Sequence, residues 1–383
     1  MIYLLAFLMN ITTGLVNLAN PLVALQRFGA DPVLLGILGS GPSIVYALGC
    51  AGSGFWAARF RHRTLIEVSS FCLLPVFVSI LWVRHFYQFF FLAAAFSLCA
   101  SVFWPAMIRW VGTEREGNRL RRKVGNYNIA MIAGVMVGPL LGGVAISADY
   151  RYPYLLGAAA AGAVLGLLLL GRVRPRAPRP GSAGAAEAEE EGVPGFVYIG
   201  WAANFAAWFA IGLSQSLFPA LGKSLAQPLG DRFLGILIAL IAAGEIVVFV
   251  VLRRGAGWHY NFPLLCAFQA LGAAGLLVLG LNSSPWLFVP GFLAVGLCGG
   301  MTYFSSIYYS VHGRGGGGSR SGFHESFLGL GVALGPIAGG LTAQGLGLRA
   351  PYFLGVAVFG AGICLQYRFL RAARRRAGEG KGR

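Results

Sequence analysis

Twelve times along this chain the sequence runs for about 20 residues with little but apolar side chains, and each run is bounded by charge or turn residues. A helix rises about 1.5 Å per residue, so such a run matches the roughly 30 Å of hydrocarbon in a bilayer. The runs fall at 1–25, 33–58, 64–84, 87–108, 124–147, 152–171, 196–220, 233–252, 260–281, 286–311, 322–345 and 350–369. With 57% hydrophobic and 11% charged residues and a mean hydropathy of +0.69, no large water-soluble core is left over. The expectation is an all-α integral membrane protein with twelve transmembrane helices. The first run starts at Met1 with no basic segment before it and no small-residue cleavage site after it, so it reads as a retained span rather than a removed signal.

The polar remainder is organised by sidedness. The net charge is +17, and 24 of the 30 Lys and Arg residues sit at the boundaries after even-numbered spans, in the central linker or in the tail. The other six are Arg27, Arg84, Arg151, Lys223, Arg232 and Arg349. The positive-inside rule puts the even loops and both termini in the cytoplasm, with the plasma (inner) membrane as the expected location. The charge is thereby explained by topology, and nucleic acid is excluded as a partner. Six cysteines lie singly within spans and read as packing residues. Residues 172–195, rich in Pro, Arg, Ala and Glu, cannot bury a core and read as a cytoplasmic linker. Residues 371–383 form a basic tail.

Internal repetition constrains the architecture further. The stretch "GVMVGPLLGG" (Gly134 to Gly143) returns as "GVALGPIAGG" (Gly331 to Gly340) 197 residues later. "RYPYLLG" from Arg151 matches "RAPYFLG" from Arg349 at an offset of 198, and "LGIL" occurs at Leu35 and again at Leu234, an offset of 199. Each copy holds six spans, and an even number returns the chain to its starting side, so the halves are parallel repeats. The expected units are residues 1–171 and 196–370, two pseudo-symmetric six-helix bundles. Parallel repeats related by an axis along the membrane normal characterise transporters whose halves rock about a shared site.

Within the repeated stretch, Gly134, Gly138 and Gly142, and likewise Gly331, Gly335 and Gly339, lie at i, i+4 and i+8, a smooth stripe on one helix face. Pro139 and Pro336 each remove a backbone hydrogen bond and favour a bend. With Gly143 and Gly340 these residues are expected to form a gating and helix-packing surface between the halves. Between spans 2 and 3, "GFWAARFRHR" supplies Gly54, Arg59 and Arg63.

These features together resemble the major facilitator superfamily over the whole chain. The loop is similar to the family's G-x-L-A-D-R-x-G-R-R motif at Gly54, Ala57, Arg59 and Arg63, but Ala58 stands where the family has its Asp, which puts the usual cytoplasmic charge relay in doubt. The fifth-span stretch resembles the motif of the drug/proton antiporter branch, whereas the arginine of that branch's fourth-span motif has no counterpart in "FFFLAAAFSLCASVFW". The resemblance implies secondary transport of a small solute by alternating access, with efflux slightly favoured. A nutrient importer of the same fold is the nearest alternative, and a non-transporting membrane sensor is the alternative from another class.

Charged groups inside spans cost on the order of 2.5–3.5 kcal/mol each, which makes them functional candidates. Glu245, about 12 Å inside the eighth span, is the deepest acid and the first candidate for proton coupling or cation recognition. His324 and Glu325 open the eleventh span as a second such group, or as a helix start whose acid complements the dipole. Glu67, three residues after Thr64, has the spacing of a capping box. The first span carries Asn10, Asn17 and Asn20, the first two on one face. The resemblance implies that spans 1, 4, 7 and 10 line the cavity, so Asn10, Asn17, Trp104, Asn204, Trp208, Tyr303 and Tyr308 are candidate lining residues. No catalytic or metal-binding pattern occurs, and the glycine-rich "HGRGGGGSR" lacks the Lys-Ser/Thr ending of a phosphate loop. A non-enzyme without a cofactor is expected, working as a monomer with a small solute, a proton or cation, and the lipid bilayer as its partners.

Overall fold

The computed structural model describes residues 1–111, 117–171, 195–255, 257–311 and 317–379, the side chains of 53–58, 117–122, 124–125, 311, 317–322 and 375–379 excepted. Linker residues 172–194, the glycine-rich 312–316, the side-chain surroundings of Gly54 and Ala58, and the end of the tail lie outside this description.

Twelve long α-helices follow one another: α1 (Ile2–Phe28), α2 (Pro32–Arg59), α3 (His62–Val78), α4 (Phe86–Val111), α5 (Gly117–Ala148), α6 (Tyr152–Leu170), α7 (Phe196–Ser224), α8 (Asp231–Leu252), α9 (Phe262–Leu281), α10 (Pro285–Val311), α11 (Gly317–Leu346) and α12 (Ala350–Glu379). All twelve contain a segment long and apolar enough to cross a membrane. The spans expected from the sequence match them within a few residues, except that α5, α11 and α12 continue well past their apolar segments into polar sequence. A short 3-10 turn (Ser79–Trp82) completes the third crossing. The described cysteines are free thiols.

Helix ends fall into two layers. At the end bearing both termini, the near end, Arg63 at the start of α3 donates to the Leu168 carbonyl near the end of α6. At the far end, Arg27 of α1 donates to the Val83 carbonyl at 3.2 Å. There Gln26 also donates to Asp231 at the start of α8 at 3.0 Å, and Arg232 meets Ser147 of α5 at 3.4 Å. Gly29 ends α1 in the left-handed conformation (φ 59°), which its missing Cβ allows, and so turns the chain into α2.

Glu67 does not cap α3. It accepts from Arg63 Nε at 2.7 Å, four residues earlier, and Arg61, at the cap position before α3, makes no side-chain cap bond. Residues four apart stand one turn apart on the same helix face, which brings the carboxylate to the guanidinium.

The glycine stripes do their closest packing inside each half. On α5, a methyl group on Gly138 would lie 2.6 Å from the Gly14 Cα and from the Ile11 carbonyl of α1. Gly134 abuts Phe7 and Asn10, and Gly142 abuts Leu15 and Leu18. On α11, Gly331, Gly335 and Gly339 repeat these contacts against Phe205, Phe209 and Leu213 of α7. The expected interface between halves is carried instead by the next residue round the helix. Gly143 meets Asp231 and Arg232 of α8, and Gly340 meets Pro32 and Gly36 of α2. One residue is a turn of about 100°, so Gly142 and Gly143 face different neighbours. The repeated "LGIL" segments supply the other side: Gly36 stands 2.6 Å, measured from an added Cβ, from the Pro336 carbonyl, and Gly235 stands against the Pro139 carbonyl. Across the same seam the Ile337 N–H donates to Ser40 Oγ at 3.0 Å. Two of the three sequence repeats thus dock on each other, α2 with α11 and α5 with α8.

Candidate functional site

Between the halves, on the far-end side of the middle, α1, α2, α4, α7 and α11 enclose a cavity of about 120 Å³. The glycine contacts bring these helices together, and the prolines Pro21, Pro42 and Pro336 stand in its wall. Apolar surface comes from Leu35, Leu38 and Phe96. Polar groups come from Asn17 and Asn20 of α1, Ser43 of α2, Ser97 of α4, and Gln215 and Ser216 of α7. Asn20 Oδ1 accepts from Tyr154 at 2.9 Å, and Ser43 donates to the Gly39 carbonyl at 2.8 Å.

A second cluster gathers nearer the terminal end. Tyr303 of α10 is its hub, with its ring 5.1 Å from His324, 5.8 Å from Phe249 and 6.2 Å from Trp208. His324 is buried and shares a 2.8 Å hydrogen bond through Nδ1 with Ser306. Its Nε2 lies 3.8 Å from Glu325, whose side chain is 63% exposed. Tyr303 lies within electrostatic reach of Glu245, Glu325 and, from the other half, Tyr127. Tyr46 and Cys50 of α2 likewise lie within reach of Glu325.

Glu245 is buried at 8% exposure where α8 crosses α10. Its Oε1 is 3.2 Å from where a Cβ on Gly299 would stand, and Gly300 packs on its backbone. Among the described residues no side chain donates a hydrogen bond to it or forms an ion pair with it. A charged carboxylate so placed is costly, and a proton or a bound cation is what relieves that cost.

The three proton-coupling candidates therefore surround one tyrosine, whereas the cavity candidates scatter. Asn17 lines the cavity. Trp208 and Tyr303 join the titratable cluster, and among the described residues the Trp208 indole N–H has no hydrogen-bond partner. Asn10 is buried against Gly134, and Asn204 is fully buried with neither amide atom bonded. Trp104 is buried edge-on against Phe103. Tyr308 lies at the near end, stacked at 4.2 Å on His259 of the α8–α9 connection, because α10 continues beyond the middle of the bundle.

Sequence reasoning passed over Gln215, which has a detectable signature. "F-x6-G-L-x-N" at Phe7, Gly14, Leu15 and Asn17 returns as Phe205, Gly212, Leu213 and Gln215, 198 residues on. Gly14 and Gly212 both face the motif prolines, and Asn17 and Gln215 both line the cavity.

A family model described as Major Facilitator Superfamily matches residues 2–316. The chain belongs to the Major Facilitator Superfamily. The superfamily fold is borne out by solved structures whose resemblance spans both halves. A proton-dependent oligopeptide transporter superposes with a TM-score of 0.77 at 13% identity, covering 98% of each chain. The nucleoside transporter NupG gives 0.72 at 12%, covering 97% of each chain. A bacterial homologue of the human lysosomal transporter Spinster, in an inward-facing state, gives 0.71 at 17%, covering 98% of this chain and 95% of its own. No curated protein sequence matches. This superfamily member is a multi-pass membrane transporter of the secondary kind, not an enzyme, and it acts on a small molecule.

Proposed function

We propose that the protein is a proton- or cation-coupled exporter of a small solute, acting as a monomer in the plasma membrane with both termini in the cytoplasm. Residues 1–171 and 196–370 are the rocking units, residues 172–195 tether them and 371–383 form the basic tail. Glu245 is the coupling group. The observation that carries this reading is its burial at the α8–α10 crossing with no counter-ion among the described residues. A state in which that carboxyl is protonated differs in interaction energy from one in which it is charged, and only such a difference lets a proton shift the conformational balance. His324 and Glu325, gathered round Tyr303, are placed to pass the proton to the near end. Export follows the fifth-span resemblance.

The test is flux into proteoliposomes with and without an imposed pH gradient, across a panel of nucleobases, nucleosides, short peptides, sugars and organic amines. At least one solute is expected to accumulate against its gradient when protons flow oppositely. Glu245→Gln should abolish that accumulation while leaving solute exchange intact. Unchanged gradient-driven flux in Glu245→Gln removes the coupling role, accumulation in the other direction removes export, and no flux across the panel overturns the reading.

A further inference from the structure

The cavity between the halves holds two amides that the packing leaves unused. Asn17 and Gln215 occupy equivalent positions of the two repeats and line the same cavity, and among the described residues neither side chain makes a hydrogen bond. Other amides differ from these two: Asn20 accepts from Tyr154, Gln269 of α9 and Gln366 of α12 bond each other, and Asn10 and Asn204, though not fully bonded, are buried outside the cavity lining. Among the described residues the lining contains no Asp, Glu, Lys, Arg or His. An ion entering it would lose its hydration without gaining a counter-charge, whereas a neutral polar solute would exchange water for amide and hydroxyl partners.

An amide side chain presents an N–H donor and a C=O acceptor side by side. Its two-point complement is another amide edge, an N–H next to a C=O, and two such side chains from opposite halves call for a solute with amide edges on two sides. The rest of the wall combines Asn20, Ser43, Ser97 and Ser216 with apolar surface from Leu35, Leu38, Phe96, Pro42 and Pro336, against which the faces of a ring can pack. Volume sets the scale, since a cavity of about 150 Å³ accepts one benzene ring. The 120 Å³ here is of that order, the scale of a single small ring.

We propose that this cavity is the solute site and that its ligand class is a compact, uncharged, six-membered heterocycle with lactam edges, bound between Asn17 and Gln215. This rests on the transporter reading above and names the substrate class of its site. Because Asn17 belongs to one half and Gln215 to the other, such a ligand bridges the two moving units and senses their relative position.

Equilibrium binding to the detergent-purified full chain, with no gradient present, separates this inference from the coupling role of Glu245. The probes are radiolabelled uracil, its carboxylated anion orotate, and glycerol, which has hydroxyls but no lactam. Uracil should bind saturably, and orotate at least tenfold more weakly. Asn17→Ala and Gln215→Ala should each weaken uracil about 3- to 10-fold, the loss of one or two hydrogen bonds. Asn17→Gln and Gln215→Asn should retain more binding than the alanine variants. Each variant's unfolding temperature is recorded first, and Ser79→Ala, outside the cavity lining, serves as a variant that keeps both amides. No uracil binding by the folded wild-type protein, orotate binding as tight as uracil, or folded alanine variants that bind uracil normally would each overturn the proposal. Saturable glycerol binding in place of uracil would overturn the lactam class.

Discussion

At the scale of single residues, the buried amides divide into those the fold has satisfied and those it has not. Gln269 of α9 and Gln366 of α12 are fully buried and exchange two hydrogen bonds, at 3.0 and 2.8 Å. Replacing one by Leu strands the other's amide in an apolar surround, at a cost of about 1–3 kcal/mol. Replacing both removes the polar burden together with the bonds. Gln269→Leu and Gln366→Leu should therefore each lower the unfolding temperature in detergent, while the double variant recovers most of the loss, a coupling that a double-mutant cycle measures. Additive losses would show that the pair is not a unit. The contrast with Asn17 and Gln215 is what makes those two informative. From sequence alone all four are polar residues in apolar runs, and the difference between glue and site lies in whether a neighbouring helix brings a partner and whether the side chain faces the cavity. Asn17 was legible because it shares a face with Asn10, whereas Gln215 becomes legible only when the weaker α1–α7 repeat is aligned. Tyr308 shows the converse, because depth along a helix does not say which neighbour its side chain meets.

At the scale of elements, the spans were readable because their length is dictated by the bilayer, and the repeats because two copies report the same packing twice. The packing partner of each glycine was not readable. Spacing at i, i+4 and i+8 says that a face is smooth, and it leaves open which helix lies on it. The structure places α1 on the Gly138 face, so bulk there has nowhere to go. Gly138→Leu should push α5 off α1 and cost at least the roughly 1–3 kcal/mol typical of overpacking, since the obstacles are the backbone atoms of Gly14, Ile11 and Leu15. Gly329 on α11 is the matched control, because among the described residues nothing lies within 4 Å of an added Cβ. Gly329→Leu exchanges a poor helix former for a good one and should leave the unfolding temperature level or slightly raised. If Gly138→Leu melted no lower than Gly329→Leu, the close approach of α5 to α1 would be refuted.

At the scale of the whole molecule, the two halves meet through a twice-used joint at the far end. The Pro139 carbonyl seats on Gly235 and the Pro336 carbonyl on Gly36, so each half contributes one proline-bearing helix and one glycine socket. Polar links lie beside it: Gln26 and Lys223 both reach Asp231, the Lys223 pair at 2.7 Å. Backbone contact dominates, which predicts that bulk in a socket, and not loss of a charge, opens the far end. In a cysteine-free background carrying Ser97→Cys on the cavity wall, a membrane-impermeant maleimide applied from the far side reports how often that end is open. Gly235→Leu holds the Pro139 carbonyl away and should raise the labelling rate about tenfold, which corresponds to a population shift of about 1.4 kcal/mol. Asp231→Asn should raise it no more than a few-fold. The reverse order, with the charge substitution opening the far end and the socket substitution leaving it shut, would place the barrier in the polar links and remove the repeated glycine–proline joint from the alternation between states.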